Sequence, residues 1–223
     1  MSGIQIAIDG PSASGKGTVS REVAKTLSYV YLDSGALYRT VALLAARVGI
    51  EWTDGGRLAD LIAQTRFEVR SNGAAMDVLV NGESVGDAIR TESVGQGASA
   101  VAKLEEVRAA LLSLQRKLAS TGGVVMDGRD IGTVVLPHAE LKVFLTASVD
   151  VRAERRHAEQ LSRGIESSIM DVRQALEKRD EQDANREHAP LCEADDAIRV
   201  DSTHRSPAEV VAEIVGLARQ RNA

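Results

Sequence analysis

Short apolar runs and amphipathic stretches alternate along the first fifty residues of the chain. Residues 4–8 form a partly β-branched apolar run that ends at a turn, and residues 29–32 form a second such run. Residues 17–27 and 36–47 carry apolar side chains at helical spacing. This strand–helix–strand–helix order predicts a parallel sheet that is covered by helices.

A different pattern occupies residues 64–90. Two runs of alternating polarity, at 66–70 and 77–80, flank a turn at 71–73. The Asn-Gly pair at 81–82 follows the second run, and this dipeptide is a strong hairpin signal. We therefore expect a small antiparallel insertion in this part of the chain.

The first pattern resumes after the insertion. A helix with apolar residues at steps of three and four over 104–118 precedes an apolar run at 124–126, and further runs lie at 141–145 and 198–200. Together with the first two strands, these runs predict a five-stranded parallel sheet flanked by helices. A capping box at 206–209 begins the last helix.

Residues 149–187 are predicted to be mostly helical and are highly charged. Acidic and basic side chains are balanced there, which is typical of a solvated pair of helices and argues against a basic face. On that interpretation Arg152, Arg155, Arg156 and Arg163 only face solvent.

Composition narrows the classes of function. Aromatic residues are 3% of the chain, which argues against a base-stacking surface for single-stranded nucleic acid. The net charge of −5 argues against general binding to nucleic acid or anionic membranes. The single Cys192 excludes an internal disulfide, the four histidines are too far apart to suggest a metal site, and no apolar run approaches the ~20 residues of a membrane span. Without a signal-peptide pattern or an apolar dimer stripe, we expect a cytoplasmic monomer.

A glycine-rich stretch between the first predicted strand and helix fits the pattern Gly-x4-Gly-Lys. Its glycines let backbone N–H groups converge on a phosphate, and the following helix N-terminus adds partial positive charge. Lys16 adds a mobile full charge. The stretch therefore predicts a loop that binds ATP phosphates, made of Gly10, Pro11, Ser12, Ala13, Ser14, Gly15, Lys16, Gly17 and Thr18.

Gly17 departs from the usual pattern of such loops. Most P-loop proteins have Ser or Thr directly after the lysine, where its hydroxyl binds Mg²⁺. Here that ligand is absent or shifted to Thr18, and the chain has no guanine-reading Asn-Lys-x-Asp. A Ras-like GTPase is therefore disfavoured, and the Gly-Lys-Gly-Thr form resembles the nucleoside monophosphate kinases.

Further motifs extend this resemblance over nearly the whole chain. Residues 33–39 read Asp-Ser-Gly-Ala-Leu-Tyr-Arg, residues 127–130 read Asp-Gly-Arg-Asp, and residues 178–186 read Lys-Arg-Asp-Glu-Gln-Asp-Ala-Asn-Arg. Together with Asp-Gly-Pro-Ser at 9–12, this set resembles the bacterial cytidylate kinases, which phosphorylate CMP and dCMP. The phosphate loop alone is specific only to the superfamily, whereas the motifs at 33–39 and 127–130 are specific to this family.

The positions of these motifs predict a shared binding site independently of the family resemblance. Asp9, Asp33 and Asp127 each follow a predicted strand, and ligands of parallel sheets bind beyond the carboxyl ends of the strands. Arg39 and Arg129 are therefore expected to reach the same crevice as the loop lysine. Arginine suits an anionic phosphate because it can bind two oxygens at once.

The resemblance implies a role for each matching position. Lys16, Arg39 and Arg129 would be catalytic, with both arginines on the acceptor phosphate and the lysine between it and the ATP phosphates. Arg179 and Asp183 would contact the sugar. The base would lie among Ser99, Arg108, Asp130 and Arg186, and the substrate side also includes Ser34 and Tyr38.

Cytosine recognition would follow from complementary hydrogen bonds. Asp130 would accept from the cytosine amine while Arg108 donates to the ring acceptors, and uracil would instead bring a carbonyl against the carboxylate. Taken alone, Arg108 is more typical of an ordinary helix flank, and the spacing of Arg179 and Asp183 is more typical of a surface ion pair.

The expected reaction is transfer of the ATP γ-phosphoryl group to the monophosphate, with Mg²⁺ bridging the ATP oxygens. The acceptor phosphate has a second pKa of about 6, so a general base is not required. Arg155 and Arg156 are the expected lid arginines, and we expect Asp127 to hold the metal through water, with no direct protein ligand assigned.

We expect one P-loop kinase domain over 1–223, with a monophosphate-binding subregion at 64–98 and a helical lid at 149–187. Two alternatives remain open from the residues. One is a P-loop kinase for another small acceptor, such as UMP or a hydroxyl compound, for which Asp33 would be the base. The other is a non-catalytic nucleotide-binding module.

Overall fold

The strands form two sheets in the computed structural model of the chain, which describes residues 3–71, 76–120 and 122–222. In chain order the strands are β1 (Gln5–Asp9), β2 (Val30–Asp33), β3 (Phe67–Ser71), β4 (Met76–Val80), β5 (Glu83–Ser84), β6 (Val124–Gly128), β7 (Leu141–Thr146) and β8 (Ile198–Asp201). The α-helices are α1 (Lys16–Leu27), α2 (Ser34–Val48), α3 (Gly55–Gln64), α4 (Glu92–Val101), α5 (Glu105–Ala119), α6 (Val149–Ser162), α7 (Ile169–Ala184) and α8 (Pro207–Arg221).

The larger sheet is parallel and has the strand order β2-β6-β1-β7-β8. The expectation of five parallel core strands is confirmed. In the register of this sheet Asp127 pairs with Ile8 on one side and with Asp33 on the other. The carboxyl ends of β1, β2 and β6 therefore meet at one edge, and all three strands carry an aspartate there.

Apolar side chains cover both faces of this sheet, which is why its strands are continuous apolar runs and do not alternate. On one face Ile6 and Ile8 pack with residues of α1 and α8. On the other face Ala7 and Met126 pack with Ala119 at the end of α5. The result is the expected three-layer α/β arrangement, with helices flanking the sheet.

The smaller sheet is antiparallel, with the order β3-β4-β5. It confirms the two strands that alternation predicts at 66–70 and 77–80. Asn81 and Gly82 both have positive φ, at 53° and 91°, as a hairpin turn of this kind requires. Of the turn expected at 71–73, residues 72 and 73 lie outside the described residues.

Helices α3 and α4 were not predicted from the pattern. Glycine lowers the helix propensity of α4, which contains Gly95 and Gly97. Gly97 is explained by tertiary packing, because a Cβ there would lie 2.5 Å from the Trp52 ring. The helix is therefore stabilised by its contact with Trp52 and α2, which local sequence does not reveal.

The charged segment and the last helix agree with their patterns. Residues 149–187 contain α6 and α7, and α8 begins with the expected capping box, in which the Ser206 hydroxyl accepts from Glu209 N and the Glu209 carboxylate accepts from Ser206 N. Among the described residues, none of the helices has the length and apolar character that a membrane span needs.

Candidate active site

A cavity of about 380 Å³ opens at the carboxyl ends of the central strands. Lys16 and Arg129 both line it, so the phosphate loop and the loop after β6 face a common space. Most of the residues singled out from the sequence lie on its wall. They are Ser12, Ala13, Gly15, Lys16, Gly17, Thr18, Ser34, Tyr38, Arg39, Ser99, Arg129, Arg156, Arg179, Asp183 and Arg186.

The phosphate loop is held in shape by close backbone approaches. Gly10 has φ 148°, and a Cβ there would lie 2.0 Å from the carbonyl oxygen of Leu145, so no other residue fits without a backbone shift. Lys16 is buried and donates from Nζ to the carbonyl oxygens of Gly10, at 2.7 Å, and Pro11, at 2.6 Å. Burial and the neighbouring Arg129 lower the pKa of Lys16 well below its usual range.

Asp127 is the residue of this site that best fits a hydrated Mg²⁺. It lines the cavity, and its Oδ1 is buried with no hydrogen-bond partner among the described residues. Burial and the adjacent Asp33 raise the pKa of Asp127 to about 7, so a nearby cation would favour its ionised form. Within the described ranges no group of three or more His, Cys, Asp or Glu could form a metal cage.

Gly17 has no hydroxyl to offer a metal, and another hydroxyl lies close to it. A Cβ at Gly17 would be 3.5 Å from the Tyr31 hydroxyl, whose pKa is raised by burial and by the nearby Asp127. A side chain there would begin in ordinary van der Waals contact with that hydroxyl, so space alone does not require glycine at this position. Mg²⁺ commonly keeps several waters and binds through one or two carboxylates together with substrate phosphates. One unpartnered carboxylate oxygen beside a phosphate loop is compatible with that chemistry.

The two arginines expected on the acceptor phosphate are already oriented by carboxylates. Arg39 Nη2 donates to Asp33 Oδ2 at 2.6 Å, and the same aspartate caps α2 by accepting from Ala36 N. Arg129 donates to Asp183 and to the Ser12 hydroxyl. These hydrogen bonds limit the rotamers of both guanidinium groups before any ligand binds.

Cations outnumber carboxylates on the cavity wall. Arg179 is poorly neutralised, because its Nε is buried without a hydrogen-bond partner among the described residues and burial together with Arg129 lowers its pKa to about 10. This excess of positive charge suits polyphosphate ligands. The cations are Lys16, Arg21, Arg39, Arg129, Arg156, Arg179 and Arg186, and the carboxylates are Asp33, Asp127, Glu159 and Asp183.

The residues expected to read the base are divided between the wall and the layer next to it. Ser99 and Arg186 line the cavity, whereas Arg108 and Asp130 form a nearly buried ion pair beside it. The Arg108 guanidinium also lies 5.7 Å from the centre of the Tyr38 ring, which faces the cavity. The ordinary helix-flank interpretation of Arg108 is therefore wrong, since its charge is paired with a carboxylate 22 positions away.

A second cavity, of about 370 Å³, also borders the phosphate loop and is lined by Ser14 and Thr18. The two expected lid arginines, Arg155 and Arg156, differ in which of the two cavities they line. Arg155 lines this second cavity and not the first, and it donates to the Ser202 hydroxyl and carbonyl, at 3.0 and 2.8 Å. Arg156 lines both cavities, so it is the one of the pair that faces the Lys16 side.

The solvated-face interpretation of the α6 arginines is wrong for Arg152. This side chain is buried and donates to the carbonyl oxygens of Ala147 and Ser12, and it also pairs with Asp180 on α7. It therefore joins both charged helices to the phosphate loop. The surface-pair interpretation of Arg179 and Asp183 is likewise wrong, because Asp183 is buried and pairs with Arg129. Arg21, which the sequence did not single out, also lines the main cavity.

Known proteins resemble this chain over nearly its whole length. A family model described as cytidylate kinase matches residues 6–220. A cytidylate kinase of Geobacillus sp. (strain WCH70) is 47% identical over 218 residues, covering 98% of this chain and 97% of the relative. One from Streptococcus suis (strain 05ZYH33) is 52% identical over 205 residues, covering 91% of each chain.

Solved structures at low identity share the fold. A gluconokinase from Sinorhizobium meliloti 1021 has a TM-score of 0.50 and 19% identity, covering 98% of this chain and 93% of its own. An uncharacterized protein from Eubacterium ventriosum has a TM-score of 0.53 and 12% identity, covering 97% of this chain and 98% of its own. Identities this low support the common architecture alone.

Proposed function

Because this chain belongs to the cytidylate kinase family, we propose that it transfers the γ-phosphoryl group of ATP to CMP and dCMP. The observation that carries the proposal is the common cavity lined by Lys16 of the phosphate loop and Arg129 of the loop after β6. Two anionic groups can approach each other there between fixed cations. The family relationship supplies the identity of the acceptor.

On the donor side, the phosphate loop would bind the ATP phosphates through its backbone N–H groups. Lys16 Nζ would exchange the carbonyl oxygens of Gly10 and Pro11 for phosphate oxygens, which are stronger acceptors for an ammonium group. The second cavity, beside Ser14 and Arg155, would receive the rest of the donor nucleotide. Arg156, which lines both cavities, would then contact the phosphates between them.

On the acceptor side, Arg39 and Arg129 would bind the monophosphate, since each presents a planar fork of donors to the cavity. Arg179 would add a third cation and, with Asp183, contact the sugar. The base would lie against Tyr38 and Ser99, with Ser34 and Arg186 on the same wall and the Arg108–Asp130 pair behind it.

Catalysis would consist of alignment and charge stabilisation. The acceptor phosphate is largely ionised at neutral pH, with a second pKa of about 6, so no residue has to remove a proton from it. Lys16, Arg39 and Arg129 would stabilise the charge that develops on the transferring group. Asp127 would hold Mg²⁺ through water by its unpartnered Oδ1, and the metal would supply positive charge to the phosphates.

The hydroxyl-acceptor alternative is not favoured by the geometry at Asp33. A hydroxyl acceptor would need this carboxylate as a general base, but its two oxygens already accept from Ala36 N and from Arg39. Both oxygens of this carboxylate are therefore already bound by donors of the chain itself, and neither is left free to face a substrate hydroxyl.

We further propose that the chain acts as one kinase domain over 1–223, in which 64–98 binds the monophosphate and 149–187 closes as a lid. Closure would exclude water, which competes with the acceptor for the phosphoryl group. We propose that the enzyme works as a cytoplasmic monomer that binds neither nucleic acid nor membranes, in keeping with its net charge of −5.

A coupled assay of ADP release with CMP, dCMP, UMP, AMP and shikimate tests the proposed function. We expect turnover with CMP and dCMP to exceed turnover with every other acceptor. A preference for UMP or shikimate would support a different small-molecule kinase. If no acceptor increased ADP release above the ATP-only rate, a non-catalytic nucleotide-binding module would be the better description.

A further inference from the structure

Asp9 joins the donor side of the site to the acceptor side. It is the last residue of β1, immediately before the phosphate loop, and its carboxylate is buried. Oδ1 accepts from Ile131 N at 2.8 Å, and Oδ2 accepts from Gly132 N at 2.7 Å. Both oxygens are thus bound to the segment that directly follows Asp130.

These two N–H groups belong to a helical turn that lacks a cap of its own. Residues 131–135 form one wide turn with Asp130 at its N-cap position. The first N–H groups of a helix have no internal partner, and aspartate at the N-cap ordinarily accepts from them. The Asp130 side chain makes no such bond and pairs with Arg108 instead.

We propose that Asp9 is a positioning residue for base selection, which caps the 131–135 turn from a neighbouring strand and so leaves the Asp130 carboxylate free to pair with Arg108 and accept from the cytosine amine. This inference rests on the proposed function and adds a residue to its specificity. Asp9 itself acts through Asp130 and does not contact the base.

The physical basis of this proposal is that Asp9 and Asp130 can both act as acceptors for the N–H groups at the start of the 131–135 turn. Buried N–H groups are nearly always paired, so loss of Asp9 leaves two donors that need an acceptor. Asp130 already stands at the N-cap position, from which a side-chain rotation would bring its carboxylate to the Gly132 N–H at the expense of Arg108. The base would then meet a site without its acceptor, and cytosine would lose its advantage over uracil.

Steady-state kinetics with CMP and UMP at pH 8 tests the role of Asp9 in the wild type, Asp9→Ala, Asp130→Ala and the double variant. Burial raises the pKa of Asp9 to about 6, so the carboxylate is ionised in this assay. We expect Asp9→Ala to lower the CMP/UMP ratio of kcat/KM by about tenfold or more, with the KM for ATP changed by less than about threefold.

The double variant separates positioning from general damage. If Asp9 acts through Asp130, the double variant has the CMP/UMP ratio of Asp130→Ala, with no further loss. A purely structural role predicts equal losses of CMP and UMP turnover, and independent roles predict losses that multiply. Either result overturns the inference. A crystal structure of Asp9→Ala should show the Asp130 carboxylate on the N–H group of Gly132 and no longer on Arg108.

Asp9→Asn provides a milder version of the same test. Its amide oxygen can accept one N–H while its NH2 group faces the other, so we expect a smaller loss of the CMP/UMP ratio. If Asp9→Ala does not fold, Asp9→Asn alone and combined with Asp130→Ala is judged by the same two criteria. Wild-type protein without CMP turnover would overturn the proposed function as well, whereas wild-type selectivity that survives in a folded Asp9 variant overturns this inference alone.

Discussion

Arg129 Nε donates to Asp183 Oδ2 across 2.9 Å, which joins the loop after β6 to α7. The same guanidinium donates from Nη2 to the Ser12 hydroxyl at 2.7 Å. One arginine therefore joins the phosphate loop, the loop after β6 and α7. Any change at Asp183 is expected to reach both substrate sides of the cavity.

The Arg129–Asp183 pair predicts an acid-dependent loss of stability. Burial alone would raise the pKa of Asp183, but Arg129 and Arg186 outweigh it and hold the pKa below the ordinary 3.8. A carboxyl whose pKa is lower in the folded state stabilises the fold above its unfolded pKa and loses this contribution as pH falls through the folded value. Asp183→Asn should therefore melt below the wild type at pH 7, with a smaller difference at pH 3.

Thermal unfolding at the two pH values measures this difference. The exposed Asp60 on α3 provides the control, since Asp60→Asn should change the melting temperature equally little at both. An Asp183→Asn deficit of the same size at pH 7 and pH 3 would contradict the electrostatic origin of the effect.

We expect Lys16 to increase the rate of phosphoryl transfer and to lower, or leave unchanged, the stability of the fold. Its charge is buried and disfavoured by Arg129, so Lys16→Met should leave the melting temperature unchanged or raise it. The kcat with CMP should fall by about 10²–10³, because the variant lacks a charge aimed at the transferring group. Lys25→Met, on the exposed end of α1, should leave kcat unchanged. A Lys16→Met variant that is both inactive and strongly destabilised would refute this assignment.

Substitution of Arg155 and substitution of Arg156 are expected to change different kinetic parameters. Arg156 lines both cavities, so Arg156→Ala should lower kcat more than it raises the KM for ATP. Arg155 donates to Ser202 beside the second cavity, so Arg155→Ala should mainly raise the KM for ATP. Initial rates at saturating CMP and varied ATP distinguish the two patterns. The same kinetic pattern in both variants would argue against separate roles.

Arg152 is expected to couple the lid to the phosphate loop. Arg152→Met removes the bonds that link α6 to Ser12 and to Asp180 on α7, so the helices should close less completely over ATP. Water should then compete better, and the ratio of ATP hydrolysis to CMP phosphorylation should rise. Arg163→Met, at an exposed position just after α6, is the control. A ratio equal to that of the wild type would show that this link does not govern closure.

Some of the site was predictable because its signals are local or depend on simple topology. The phosphate loop follows from glycine spacing between a strand and a helix, and the meeting of Asp9, Asp33 and Asp127 follows from parallel pairing. Helix α4 was not predictable, because Gly97 is explained only by Trp52. Arg152 looked solvent-exposed because charge balance along a helix does not reveal which side chain finds a distant carbonyl.

The amino-acid sequence by itself determined the strand and helix order, the phosphate loop and the set of cations available to a ligand, since these depend on spacing within a few residues. Tertiary structure alone decided which distant carboxylates pair with Arg108, Arg129 and Arg152. It paired Asp130 with Arg108. It also placed the N–H groups that follow Asp130 on the carboxylate of Asp9, which lies more than a hundred positions earlier. The physical reason is that a buried polar group must find a partner, and the packing of strands and helices sets which partners lie within reach.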